Sequence, residues 1–489
     1  MATGSITQNA ETTANTGDIA YTAAQSITQN SATSIQTGHV NYLASGNIAQ
    51  NANTNVDNGS VVYTAQSGDI VMSSNALTKV TQGDAHYTAT QDIVLGKLDV
   101  SEANQVQLEA VNGSILAQNV EGNNIQAGTL VMQAAKDIGG FLAPIKTKIS
   151  QLFAKSSTQL NMVEQDSLNV KDLNVSAGNA QLIVGENLQI ENANVSNGLS
   201  ISAQGNISTT QDGLVQSDLL TVHAGNGIHL NTAVNSVDLV ATQGSIDLIE
   251  NDQITLNNVN AQNGNISVVA NGSISVDQLK ASNEGFSNIM LESIEGDISN
   301  AKNSALIQAN KLDLNAAKLI QLNTQVNQLS ATANQDILIS QLGDLQLGTL
   351  KSSTKVDLNV QQGGLSSALN QRIRTPVVNV IAPVFNVKAD GSIQLTTQVN
   401  EIQAQSMNGN VDITEVDGID NANITALTGD VSLQSFSGDL GIDAINAQNV
   451  NLTAQTGSII NAQNNAQAVN VNAQSVVLDA DKGIGAANN

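Results

Sequence analysis

The chain has 489 residues with 17 Lys+Arg against 42 Asp+Glu, a formal net charge of −25, and neither cysteine nor tryptophan. This acidic balance, with only two arginines, excludes the basic footprint of a nucleic-acid binder, and four scattered His without any Cys leave no disulfide frame or zinc motif. The 40% hydrophobic content is too high for a disordered chain, and no apolar run approaches the roughly 18 residues of a membrane-spanning helix. Only 12% of residues are charged, against about a quarter in an ordinary globular domain.

From the N-terminus the chain repeats itself. "GDIAYTA" begins at Gly17, "GHVNYLA" at Gly38, "GSVVYTA" at Gly59 and "GDAHYTA" at Gly83, which spaces Tyr21, Tyr42, Tyr63 and Tyr87 by 21, 21 and 24 residues. Apolar residues at every second position have the period of a half-buried strand. The Gly, Asn, Asp and Ser between them are turn formers, and another short alternating stretch follows, as in "SITQN" at Ser26. A unit of 21–24 residues therefore holds about three short strands and three turns. It is too short for a helix-pair repeat and lacks the leucine-rich consensus. The spacing predicts an all-β chain wound as a parallel β-helix, with about 22 coils stacked at about 4.8 Å in a rod on the order of 100 Å long. Residues 1–138 are read as regular coils. Ile19, Val40, Val61 and Ala85 should form one internal column, the four tyrosines the next, and Ala23, Ala44, Ala65 and Ala89 a third.

Residues 139–165 break the rhythm. "GGFLAPIKTKISQLFAKSS" carries Pro144 with Lys146, Lys148 and Lys155, just after Lys136, and is expected to be an irregular segment or a protruding loop. Coils resume over 166–489 with leucine in the tyrosine place, as in "VDLVATQGSI" at Val237, "FNVKADGSI" at Phe385 and "VNLTAQTGSI" at Val450. A second irregular segment is expected near 365–385, where "QRIRTPVVNVIAP" holds Arg372, Arg374 and the other two prolines. Loops on a rigid scaffold carry function more often than the scaffold does. Pro144, Lys146, Lys148, Arg372 and Arg374 are therefore the candidate partner-contact residues.

No residue pattern announces chemistry. The tyrosines share parity with the apolar residues of their strands, so they read as a core stack and not as a sugar-stacking platform. Asp18, Asp69, Asp84, Asp297, Asp344, Asp430 and Asp439 lie beside turn glycines, but Ser60, Asn47 and His39 take the same place. The nonapeptide of calcium-binding β-rolls is missing, so turn chemistry is expected there. His39, His86, His223 and His229 read as surface residues. Carbohydrate-cleaving β-helices use paired carboxylates, and the sequence specifies no such pair, no nucleophile and no base motif. A regular Thr-x-Thr array suited to ice is limited to cases such as Thr88 and Thr90. No catalytic residue, metal or cofactor is predicted.

The repeated "LxAxxGDI" or "LxAxxGSI", the Asn-rich turns and the absence of cysteine together resemble the filamentous-haemagglutinin-like exoproteins of two-partner secretion, which are bacterial adhesins and contact-dependent inhibition stalks. "GDISNAKNSALIQANKLDLNA" at Gly296 and "GSIINAQNNAQAVNVNAQSVVLDA" at Gly457 look like recurring coils of that family. The resemblance implies a right-handed parallel β-helix, secreted or held at the bacterial surface. It also implies export through an outer-membrane transporter and contact with a host or neighbour-cell receptor or glycan. A chain without disulfides suits threading through a pore. The chain departs from the family in having no Asn-Pro and no signal-peptide start in "MATGSITQNAETT", so it is expected to be an internal stretch or a mature fragment. The expected function is a non-enzymatic structural stalk. The alternatives are an extracellular filament whose coils add end to end and a β-helix that binds or cleaves polysaccharide.

Overall fold

The computed structural model describes residues 2–118, 120–282, 285–369, 377–463 and 468–485. The chain divides into two units, Met1–Gln243 and Gly244–Asn489. Each is built from parallel stacked coils, and the chain is an all-β solenoid of about 22 turns with about 20 residues per turn.

The first two coils show how the sequence makes the fold. The first holds β1 (Ile6–Gln8), β2 (Thr12–Thr16) and β3 (Ile19–Ala23), and the second holds β4 (Ile27–Gln29), β5 (Thr33–Thr37) and β6 (Val40–Ala44). β1 pairs with β4, β2 with β5 and β3 with β6, all in parallel, so that each residue faces its equivalent one coil on. In-register pairing stacks like on like. Ile27, Ile48, Ile70, Ile93, Ile115 and Ile138 form one continuous column, and all six are buried. Each such side chain contributes roughly 1.5–3 kcal/mol. β-Branched isoleucine suits the place because its stiff χ1 packs against the copy above and below.

The three predicted columns are present in register, with Ile19 opposite Val40, Tyr21 opposite Tyr42 and Ala23 opposite Ala44, and likewise on to Ala85, Tyr87 and Ala89. The period is less uniform than the first hundred residues suggest. Asn30 stacks on Asn9 across 21 residues, whereas Asn327 stacks on Asn310 across 17. In other coils one corner turn is dropped and two strands run together, as in the 16-residue strand Leu188–Ala203 and the 18-residue strand Ile207–Ala224.

The irregular segment expected over 139–165 shrinks to a turn at 140–144. Strands Ile145–Ser156 and Gln159–Glu164 occupy the rest. Lys146 and Lys148 point outward between Ile145, Thr147 and Ile149, which are buried; the lysines mark the solvent face of a strand and not a loop. Near 365–385 the described residues include strands Leu365–Ser367 and Val380–Ala389. Arg372 and Arg374 lie outside the described residues.

Asparagine also braces strand starts. Asn124, Asn379 and Asn470 each stand immediately before the apolar residue at which a strand begins. Asn379 is wholly buried, and its Nδ2 donates to the carbonyls of Leu347 at 2.9 Å and Gly348 at 3.1 Å and to Ser367 Oγ at 2.9 Å, while its Oδ1 accepts from Thr396 N at 3.0 Å. Asn124 does the same with the carbonyls of Gly96 and Gln118 and with Lys146 N. A side-chain amide supplies both donors and an acceptor, which an interrupted ladder lacks at that point.

Candidate functional site

Three sets of polar side chains tie the coils together, and two of them lie inside. The first is the tyrosine column. Ring centroids of Tyr21, Tyr42, Tyr63 and Tyr87 are 4.9, 4.6 and 4.8 Å apart, with interplanar angles of 14°, 8° and 9°. Tyr42, Tyr63 and Tyr87 are fully buried, so no ligand reaches their faces. Each phenol pairs with a threonine nine residues earlier: Thr33 with Tyr42 at 2.6 Å, Thr54 with Tyr63 at 2.7 Å and Thr78 with Tyr87 at 2.6 Å. The same phenols donate to Oε1 of Gln8, Gln29 and Gln50 in the preceding coil, at 2.9, 2.8 and 3.1 Å. Those glutamines return the bond through Nε2 to the threonines at 3.0, 3.0 and 2.8 Å. Burial pushes all three phenols well above their ordinary pKa, and the threonine hydrogen bonds offset only part of this.

One coil further on, the whole triad is exchanged at once. Met72 stands opposite Gln50, Leu98 opposite Thr78 and Leu108 opposite Tyr87. A buried polar network is stable when every member is satisfied, and a partial one is worse than an apolar core. Tyr87→Phe keeps the ring and removes one hydroxyl, so it should lower stability by about 1–3 kcal/mol in urea titrations. Adding Gln50→Met and Thr78→Leu to that variant should recover part of the loss, because no polar atom is then left without a partner.

The second set explains the residues beside the turn glycines. Asp18 Oδ1 accepts from His39 N at 2.8 Å, His39 Nδ1 from Ser60 N at 3.0 Å, Ser60 Oγ from Asp84 N at 3.2 Å and Asp84 Oδ1 from Gln105 N at 2.9 Å. Asp69, Asp297, Asp344, Asp430 and Asp439 serve the same way, accepting from the backbone N–H of Asp92, Leu319, Gly364, Asn449 and Ser458 at 3.0, 3.0, 2.7, 3.1 and 2.7 Å. The place asks only for a short side chain with an acceptor, which is why Asp, Asn, Ser and His alternate in it. No cluster of three or more His, Cys, Asp or Glu suited to a metal occurs among the described residues.

The third set is buried carboxylates. Glu164, Glu250 and Glu415 are 1%, 1% and 0% exposed, each at the inward-facing end of a strand. Glu415 Oε2 accepts from Thr397 Oγ1 at 2.7 Å, and its Oε1 accepts from Val416 N at 2.9 Å. Glu164 repeats this with Thr147 at 2.6 Å and Gln165 N at 2.9 Å. Loss of hydration raises Glu164 to about 7 and Glu415 to about 8, against the hydrogen bonds from Thr147 and Thr397 and with a smaller upward push from Asp166 and Asp417. In the same setting an uncharged Gln341 bonds Thr324 Oγ1 at 2.7 Å and the Val326 carbonyl at 2.8 Å. The glutamates are thus corner braces, each enclosed in its unit and reached by no substrate.

Of the predicted contact residues, Pro144, Lys146 and Lys148 share one stretch of unit Met1–Gln243, all half-buried. Lys148 faces Glu102 at 3.7 Å, an exposed pair worth little in water. His39, His223 and His229 are exposed and His86 is half-buried. The residues that sequence reasoning passed over are Phe141 and Leu142, 74% and 93% exposed at the tip of the 140–143 turn. An aromatic–aliphatic pair just ahead of a proline, in a chain with five phenylalanines, was the available signal. Unit Gly244–Asn489 has a shallow groove of about 490 Å³ whose floor includes Asp357, Asn386, Lys388 and Gln403, and there Asn386 Nδ2 already donates to Asp357 Oδ1 at 2.6 Å. No protein-family model matches this chain, and neither a curated protein nor a solved structure does.

Proposed function

We propose that this chain is a non-enzymatic structural stalk of a secreted or cell-surface bacterial adhesin, presenting other modules on a stiff β-solenoid. The observation that carries this reading is the coil-to-coil locking within each unit, where core columns and turn acceptors bond one coil to the next, joined in unit Met1–Gln243 by the tyrosine triads. Aspartates that would otherwise be free for ligands hold backbone N–H groups of the following coil. Such a quasi-one-dimensional scaffold gains its stiffness from nearest-neighbour interfaces. Resemblance of the repeats to two-partner-secretion exoproteins supports export through an outer-membrane transporter and a receptor or glycan as the eventual partner. The cysteine-free composition suits that route.

Electron microscopy of the purified full chain is expected to show separate particles of uniform size. Filaments of open-ended length would replace the stalk with a self-assembling fibre, and release of reducing ends from a glycan panel would replace it with an enzyme.

A further inference from the structure

The 140–143 turn is built to hold an aromatic ring over the side of its own unit. Gly139 has φ +69°, and a Cβ there would lie 2.3 Å from the Asn161 carbonyl oxygen, so only glycine lets the chain leave the coil at this point. Gly140 N donates to Ala143 O at 2.9 Å and Ala143 N to Gly140 O at 3.1 Å, which closes a tight turn with Phe141 and Leu142 at its tip. Pro144, which has no N–H, follows, and Ile145 is buried again.

Phe141 forms one wall of a cavity of about 330 Å³, within the roughly 300–1,000 Å³ of small-ligand sites. Its floor is the outward face of four successive coils, where Asn161, Gln181, Ser200 and Thr221 stand in one register column. The adjacent column runs from Asn179 to Gly198 and Leu219, and the missing side chain at Gly198 leaves room between its neighbours. No charged residue lines the cavity.

Asn161 is the second, independent observation. It is 5% exposed, lines the cavity, and its Nδ2 has no hydrogen-bond partner. Its neighbours are engaged: Gln159 Nε2 donates to the Gly139 carbonyl at 3.0 Å, and Asn179 Oδ1 accepts from Gly198 N at 2.9 Å. Buried donors are paired in native proteins, and an unpaired one asks for an acceptor.

We propose that this cavity binds one neutral pyranose residue of a saccharide. A sugar ring has an apolar C–H face for Phe141 and Leu219 and hydroxyls for the other side. One hydroxyl oxygen accepts from Asn161 Nδ2, and others exchange bonds with Gln181, Ser200 and Thr221. A charged sugar would lose hydration with no counter-charge to meet it, and a purely apolar ligand would leave Asn161 unpaired. The site is independent of the stalk reading, since a fibre would carry it equally.

The test is titration of the full chain, followed by NMR saturation transfer and calorimetry. The probes are glucose, galactose, N-acetylglucosamine and their β-linked trimers, with glucuronate and sialic acid as charged controls. At least one neutral saccharide is expected to bind at about 1–10 mM or tighter, and the charged controls about tenfold more weakly. Phe141→Ala should weaken binding about tenfold with an unchanged thermal midpoint, because the ring is exposed. Asn161→Ala should weaken it as well. The proposal is overturned if no neutral saccharide binds at about 10 mM, if binding survives both substitutions, or if the charged controls bind as tightly.

Discussion

Gly59→Ala is expected to destabilise unit Met1–Gln243 by roughly 3–5 kcal/mol, a very large effect for the addition of one methyl group. Two costs add. Gly59 has φ +143°, a backbone conformation that L side chains rarely adopt. The new Cβ would also lie 1.9 Å from the Gly38 carbonyl oxygen and 2.7 Å from its carbon. The coil has no freedom to retreat, because Gly59 N donates to Gln82 O at 2.8 Å and Val40 N to Ser60 O at 3.0 Å. The same substitution at Gly17 separates the two costs. There φ is +94° but nothing lies within 4 Å of the added Cβ, so Gly17→Ala should cost only about 1–2 kcal/mol of backbone strain. Urea unfolding followed by circular dichroism, with hydrogen exchange to locate the loss, measures both. Equal costs at the two positions would mean that the coils separate freely and that stacking distance is not what the glycine column protects.

The tyrosine column and the Ile19 and Ala23 columns beside it were readable from the repeat, because stacking equivalent residues turns a one-dimensional period into a three-dimensional position. What escaped sequence reasoning was the polar interior. Gln29 has the parity of Ile27, Glu164 that of Leu160 and Met162, and Glu415 that of Val411 and Ile413, so alternation alone points all three inward. Hydrophilicity argues the opposite, and it loses here because Thr54, Thr147 and Thr397 wait inside with a hydroxyl for each. The break in rhythm around Pro144 placed Lys146 and Lys148 in an irregular segment, although they alternate with Ile145, Thr147 and Ile149 in an ordinary strand. The Asp, Asn, Ser and His beside the turns were legible as turn residues, but their shared duty as acceptors for the next coil was not. It depends on which N–H the stacking brings overhead. Phe141 was legible only as part of a break in rhythm, since nothing in the spacing says that the turn folds over Asn161.

The buried glutamates make stability depend on pH in an unusual direction. Glu415 titrates at about 8 in the folded chain against an ordinary 4.5, because burial removes the hydration of its carboxylate. Between those values the folded state holds a proton that the unfolded state has released, so stability falls as pH rises. The contribution is fully present below about pH 4.5 and gone once pH passes about 8. It is worth on the order of 3–5 kcal/mol for this one group. Glu164, raised to about 7, adds a loss of the same sign that is complete at slightly lower pH. Glu415→Gln removes the charge without changing the shape. The new amide can adopt the bonds of Gln341, whose Oε1 accepts from Thr324 at 2.7 Å and whose Nε2 donates to Val326 O at 2.8 Å. The variant is therefore expected to match the parent near pH 5 and to exceed it by several kcal/mol near pH 9, with the gain localised by hydrogen exchange to strands Val411–Glu415 and Ile393–Ser406. Glu415→Ala, which leaves Thr397 without its acceptor, should be the less stable of the two substitutions at every pH. A parent whose stability is flat from pH 5 to 9, or a Gln variant weaker than the parent at pH 9, would show that the carboxylate stays ionised in the core and that Thr397 and the backbone N–H groups outweigh its lost hydration.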